Sequence, residues 1–133
     1  MSPFQLKIVT PDGLRYDGPA EELIVRTTSG DLGILAGHIN CVSPLGMGQA
    51  TVVVEGERRY AACIGGMVSV MNNQVSLVAT TFEWADQIDM DRARASEERA
   101  KAIISDKKAK PDDIRLAEAR LKRALIRQNV AKK

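Results

Sequence analysis

The sequence predicts an α+β protein: an N-terminal antiparallel β-sandwich over residues 1–84, then a C-terminal antiparallel two-helix hairpin over residues 88–133. Three observations predict it. Up to Trp84, short apolar–polar runs alternate with turn-forming pairs such as Pro11-Asp12-Gly13, Ser29-Gly30 and Asn72-Asn73, the pattern of many short strands. From Ile88 to Lys133 there is no glycine and one proline, Pro111, while alanine, arginine, lysine and glutamate dominate; all are good helix formers. The charge also divides near this boundary. Residues 1–87 carry 5 basic and 9 acidic side chains, net −4, and residues 88–133 carry 14 and 8, net +6, so the two regions are suited to different partners.

Phe4–Thr10 alternates apolar and polar residues and stops at Pro11-Asp12-Gly13, where proline presets one turn dihedral and glycine permits a positive φ. Residues 23–27 form a second strand closed by Ser29-Gly30, and the glycine-rich stretch 29–39 reads as an irregular loop between strands. Strands at 51–54 and 59–64 flank a hairpin loop, Glu55-Gly56-Glu57-Arg58, and strands at 67–71 and 74–78 flank Asn72-Asn73, a pair that tolerates the left-handed geometry of a two-residue hairpin. Asp89 is placed to cap a first helix reaching about Ser105. The Lys107–Pro111 stretch breaks it, because the residue before proline disfavours helix. Asp112 or Asp113 then caps a second helix reaching about Val130. The apolar stripes are thin: Ala93, Ala100 and Ile103 on the first helix, and Ile114, Ala117, Leu121, Ala124 and Leu125 on the second. Burying alanine stabilises far less than burying leucine. The pattern alone fits either an ordinary helical pair or a tail that can leave its hairpin.

Composition and motif searches exclude most functions. A chain of 133 residues, 44% hydrophobic but only 4% aromatic, has room for one domain with an appendage and needs an aliphatic core. No apolar run approaches the roughly 20 residues of a membrane span, and no basic segment followed by an apolar run opens the chain; we expect a cytosolic product held at a membrane only through partners. Cys41 and Cys63 lack CxxC context and read as a reduced, structural pair. With His38 the sole histidine, no metal site is expected. There is no GxxxxGK[ST] loop and no GxSxG elbow. Gly46-Met47-Gly48 fails as a dinucleotide fingerprint because Thr51 stands where the third glycine belongs and a strand follows. Glu21/Glu22 and Glu97/Glu98 are adjacent solvated charges. No catalytic constellation results. A nucleic-acid module is disfavoured by an acidic first region without an aromatic stacking platform.

Two features survive. Ser29-Gly30-Asp31-Leu32-Gly33-Ile34-Leu35-Ala36-Gly37-His38-Ile39 holds three glycines in eight residues. Ile88-Asp89-Met90-Asp91-Arg92-Ala93 is followed by Arg99 on the same helix, and Arg123 and Arg127 stand four apart on the next. If the helices fold back on each other, guanidinium groups from both converge. Such groups repel unless an anion joins them, and their planar forks suit phosphate oxygens.

These features resemble the epsilon subunits of F-type ATP synthases. Residues 29–39 are similar to their SGELGILPGH-type segment, with Asp31 for the usual glutamate and Ala36 for the usual proline. Val9–Gly13 and Gly65-Gly66 also match, in order along essentially the whole chain. The resemblance implies a non-catalytic rotor subunit at the foot of the central stalk. It would touch the gamma subunit and the c-ring, with Asp31 and His38 in the ring-facing segment, and would sit peripherally on the cytoplasmic face of the bacterial membrane through the complex. Ile88, Asp89, Arg92 and Ala93 match the IDxxRA-type ATP-recognition motif, and Glu83, Arg99, Arg123 and Arg127 match further ATP contacts. By the same resemblance the folded hairpin binds ATP as a regulatory ligand, with no metal required. Extended, it reaches the beta and alpha subunits and inhibits ATP hydrolysis.

Overall fold

The computed structural model describes residues 2–133. The chain divides into two compact units, one ending at Trp84 and one running from Ala85 to Lys133. The first holds eight strands: β1 (Phe4–Thr10), β2 (Gly13–Ala20), β3 (Glu22–Thr27), β4 (Gly30–Leu35), β5 (Cys41–Pro44), β6 (Met47–Val54), β7 (Glu57–Met71) and β8 (Gln74–Trp84). The second holds a single 3-10 turn (Ala85–Gln87) and two helices, α1 (Met90–Ile104) and α2 (Pro111–Ala131).

The strands form one hydrogen-bonded path, β2-β1-β8-β7-β6-β3-β4, with β5 joined to β7. Two long strands serve both layers of the sandwich. The first half of β7 pairs with β6, and its second half pairs with β5. The start of β8 pairs with β1, the one parallel pairing in the otherwise antiparallel path. Between the layers lie Phe4, Leu6, Ile8, Leu23, Val25, Ile34, Val52, Val68, Val70, Leu77 and their neighbours. The core is chiefly aliphatic, as the composition requires, and two of its aromatic members, Phe82 and Trp84, meet edge to face with centroids 4.9 Å apart. The Arg59 guanidinium lies 3.8 Å over the Trp84 ring, a cation–π contact, and the indole N–H donates to the Arg15 carbonyl at 3.4 Å.

Several strands differ from the expectation, each for a local reason. Residues 59–64 and 67–71 are not separate strands: β7 runs unbroken through Gly65 and Gly66, both at positive φ. A Cβ on Gly66 would lie 2.0 Å from the Val78 carbonyl oxygen, so the close approach of β8 needs a glycine here. The loop at 55–58 is shorter than expected. Glu55 and Gly56, both at positive φ, make a two-residue turn, and Glu57 and Arg58 already belong to β7. The stretch 29–39 is mostly β4, paired from Thr27↔Gly30 to Glu22↔Leu35. Strands β2 and β5 escape the sequence pattern, β2 because its burial does not alternate cleanly and β5 because it is only four residues long.

In the helical unit, Asp89 caps α1: its Oδ1 accepts from the Arg92 backbone N–H at 3.1 Å. The expected cap of α2 at Asp112 or Asp113 is corrected to Lys110, with Pro111 filling the first helical position, where no N–H bond is lost. Both aspartates instead sit in the first turn, against the positive end of the helix. The seam is thinner than the stripe suggests. Ala100, Ala117 and Ala124 are fully buried, whereas Leu125 is 41% exposed and Ile114 and Leu121 are half-buried.

Gly66→Ala is expected to destabilise the first unit by at least about 2 kcal/mol, from overlap with Val78 and a strained φ. Gly33, with open space where a Cβ would stand, should accept alanine within about 0.5 kcal/mol. Urea unfolding of the two variants reads the contrast.

Candidate functional site

The hairpin is built from local signals. The Asp89 cap starts α1, Ser105 ends it by bonding its hydroxyl to the Lys101 carbonyl at 2.8 Å, and residues 105–110 turn the chain into α2. A polar clasp then fixes how the helices face each other. The nearly buried Gln128 donates from Nε2 to Glu97 Oε1 at 2.7 Å, while Lys101 Nζ meets Glu97 Oε2 at 2.6 Å. Glu97 is therefore level with Gln128 across the hairpin. These bonds, Lys101's first and Gln128's second, hold the Glu97 carboxyl below its ordinary pKa; the same bond from Glu97 raises that of Lys101.

Between clasp and turn lies an open cleft of about 320 Å³. Its floor is Ala100 and Ile103, and its rim is Ser96, Arg99, Arg120, Arg123 and Arg127. Four guanidinium groups thus border one small space. Among the described residues, Arg99, Arg120 and Arg123 form no ion pair. Convergent cations over an apolar floor, three of them outside any ion pair, make a receptor for an anion with several charged oxygens. Toward the turn, Ile103 and Arg120 also line a second hollow of about 430 Å³, whose charge is mixed: Lys108 and Lys110 face Asp106 and Asp113.

Of the residues singled out in the sequence, Arg99, Arg123 and Arg127 are brought together in the cleft. Arg92 is exposed on the first turn of α1 and is not among the lining residues. Asp89 spends one carboxylate oxygen on the cap. Ile88 is half-buried and Ala93 buried. Glu83 lies in β8, opposite Ala62, and so belongs to the first unit. Asp31 and His38 are not brought together; they stand near opposite ends of β4. The Asp31 carboxylate takes a 2.8 Å ion pair from Arg26 Nε. His38 follows the strand, half-buried, with Nδ1 2.8 Å from the Ile39 carbonyl oxygen. The His38 loop is tied to the β7–β8 turn, since the Gly37 N–H donates to Asn73 Oδ1 and the Asn72 N–H to Asn40 Oδ1, both at 2.8 Å. Ile39 is 77% exposed and Met71 56%, so this end presents an apolar surface. Sequence reasoning missed Arg120, Ser96 and the Glu97–Gln128 clasp. The spacing of Arg120 to Arg123 and Arg127, three and then four residues, was the available signal for the first.

Among the described residues no cluster of histidine, cysteine, aspartate and glutamate is placed to hold a metal ion, and no helix is long and apolar enough to cross a membrane. The two cysteines are unbridged, and burial pushes the Cys63 thiol up to about 12.

Comparison with known proteins gives a consistent result. Residues 3–85 match the model of the ATP synthase delta/epsilon chain β-sandwich domain, and residues 86–132 match that of its long α-helix domain. The chain is 42% identical over 132 residues to the ATP synthase epsilon chain of Shouchella clausii, covering 99% of this chain and 97% of that one. It is also 42% identical to the epsilon chain of Bacillus pumilus, over 100% of both chains. Among solved structures, a chain of the Euglena gracilis mitochondrial ATP synthase (OSCP/F1/c-ring) shares the fold with a TM-score of 0.80 at 22% identity, over 92% of this chain and 77% of that chain.

The lowered Glu97 pKa makes a signed prediction. A depressed carboxyl stabilises the folded state fully above the ordinary carboxyl pKa of about 4.3, and that contribution is lost as pH falls through the lower folded value. Helical circular dichroism of the full chain should weaken in acid below that point. Glu97→Gln should flatten this acid limb while leaving the neutral-pH signal in place; identical limbs in both proteins would show that the clasp carries no charge-dependent stability.

Proposed function

The chain belongs to the ATP synthase delta/epsilon family, as a non-catalytic epsilon subunit, and we propose that its hairpin is an ATP-responsive brake on the motor. One observation carries this reading: guanidinium groups from two helices border a single cleft over a seam made largely of alanine. Cationic repulsion opposes closure, and the seam supplies little burial to resist it. A bound polyphosphate reverses the balance. ATP therefore stabilises the closed hairpin by mass action, provided that it does not bind the open one. Arg92, Arg99, Arg123 and Arg127 hold phosphate oxygens, while the Asp89 carboxylate and the backbone from Ile88 to Ala93 read the adenine edge and ribose as the ligand is taken up. No metal is required, because the arginines themselves supply the positive charge.

When ATP is scarce, the helices separate and extend. Some 40 residues of near-continuous helix, at about 1.5 Å each, reach roughly 60 Å, enough to run along the gamma subunit to the beta and alpha subunits. There the basic tail engages acidic surfaces and stops rotation, sparing ATP. The sandwich couples gamma to the c-ring in the central stalk. The apolar end around Ile39 and Met71, beside His38, supports ring contact at that end, while the Arg26–Asp31 pair is a surface charge feature at the other end of β4. The subunit then sits on the cytoplasmic face of the bacterial membrane through its proton-translocating complex.

Truncating the chain near residue 87 in the assembled motor is expected to raise ATP hydrolysis at low ATP; no rise removes the brake. By calorimetry on the full chain, Arg123→Ala and Arg92→Ala should each weaken ATP binding about tenfold or more. Unchanged affinity in both would remove the pocket.

A further inference from the structure

We propose that Glu97 and Gln128 are positioning residues that set the ATP level at which the hairpin closes; the inference rests on the nucleotide reading above and adds the device that tunes it. Neither side chain borders the arginine cleft, but each is the chain neighbour of one that does: Glu97 follows Ser96, and Gln128 follows Arg127. Arg99 stands two residues beyond Glu97, and Arg123 five before Gln128. The bond between the two helices therefore decides whether guanidinium groups from α1 and α2 face one space.

The rest of the seam aligns the helices poorly. Its buried alanines, Ala93 and Ala100 on α1 and Ala117 and Ala124 on α2, recur at the same interval of seven on each helix. Small, identical side chains lose little burial when one helix slides or rolls past the other, whereas knobs of distinct shape specify one alignment. Val130, the one larger apolar side chain fully buried, lies beyond the clasp near the end of α2. The turn at residues 105–110 tethers one end only. At the other end the clasp discriminates. Gln128 is 9% exposed and the Glu97 side chain 16%, so any other alignment strands a shielded amide and carboxylate without each other, at a cost. Lys101, one turn further along the same helix, takes the second Glu97 oxygen and holds the carboxylate aimed across the hairpin. A shielded polar pair of this kind adds little net stability and acts through alignment. ATP that binds only aligned, closed chains has its apparent affinity reduced by the fraction of chains in that state. The clasp thus tunes the response without touching the nucleotide.

Two measurements on the full chain test this. By calorimetry, the double variant Glu97→Leu with Gln128→Leu should bind ATP about tenfold more weakly. Its urea midpoint by helical circular dichroism should be kept or raised, a split that loss of structure would not give. The reversed pair, Glu97→Gln with Gln128→Glu, rebuilds the bond and should recover most of the affinity. Without nucleotide, spin labels on Ala95→Cys and Lys122→Cys, both exposed positions, are read in a Cys41→Ser background, where the buried Cys63 stays unlabelled. They should report one separation with the native clasp and a second, offset by about one helical turn of 5.4 Å, with both leucines in place. Unchanged ATP affinity with both leucines, or a single unchanged separation, overturns the proposal. So do affinity and stability that fall together without rescue by the reversed pair. A wild-type chain that takes up no ATP removes the site and the ATP threshold with it, while the label distances still decide whether the clasp sets the alignment.

Discussion

The first unit is organised around the close approach of two backbones at Gly66. Its Cα lies so near Val78 and Ala79 that a methyl group on it would collide with the Val78 carbonyl oxygen. That approach lets β7 stay paired with β8 on both sides of Gly65 while its two halves serve different layers. Because β6 and β5 each take one half of β7, and β1 takes the start of β8, the whole strand path is assembled on this pair. The aliphatic core can then close without large aromatic fillers, since the layers share strands instead of merely stacking.

The second unit obeys a different balance. Its helices are well specified locally, by the Asp89 cap, by Pro111 at a first helical position and by residues of high helix propensity. What joins them is weak: mostly alanine, with Val130 the one larger apolar side chain of the two helices that is fully buried and Ile103, Ile114, Leu121 and Leu125 half-buried or exposed. Strong helices with a weak mutual interface can separate without either one melting, which is what a two-state appendage requires. The guanidinium ring around the cleft makes the balance responsive to an anion.

Much of this was legible in the sequence, and the exceptions have physical causes. Strand β1, the Asn72-Asn73 turn and the Asp89 cap were readable because each depends on residues within a few positions. The unbroken β7 was not, because Gly65-Gly66 looks like a break until the partner strand that demands it is known. Strand β4 looked like a loop because its glycines suggested turns, whereas pairing with β3 holds the segment extended. In the cleft, Arg123 and Arg127 could be paired from helical spacing, and Arg99 joined them once the helices were taken to fold back on each other. Arg120 could have been added by its spacing of three from Arg123, whereas Ser96 joins only through the register across the hairpin, set by a glutamate and a glutamine thirty-one positions apart. The separation of Asp31 from His38 likewise followed from strand geometry that a glycine-rich string conceals.

The clasp between Glu97 and Gln128 bears on how the hairpin opens. The arginine cleft lies between that clasp and the covalent turn at residues 105–110, so its two walls are tethered at both ends. Fraying confined to residues 129–131, beyond Gln128, leaves both tethers in place. Release therefore calls for a rupture at one discrete point, after which the remaining alanine contacts offer little resistance. Such an arrangement behaves as a snap fastener, indifferent to small disturbances and abrupt once it yields.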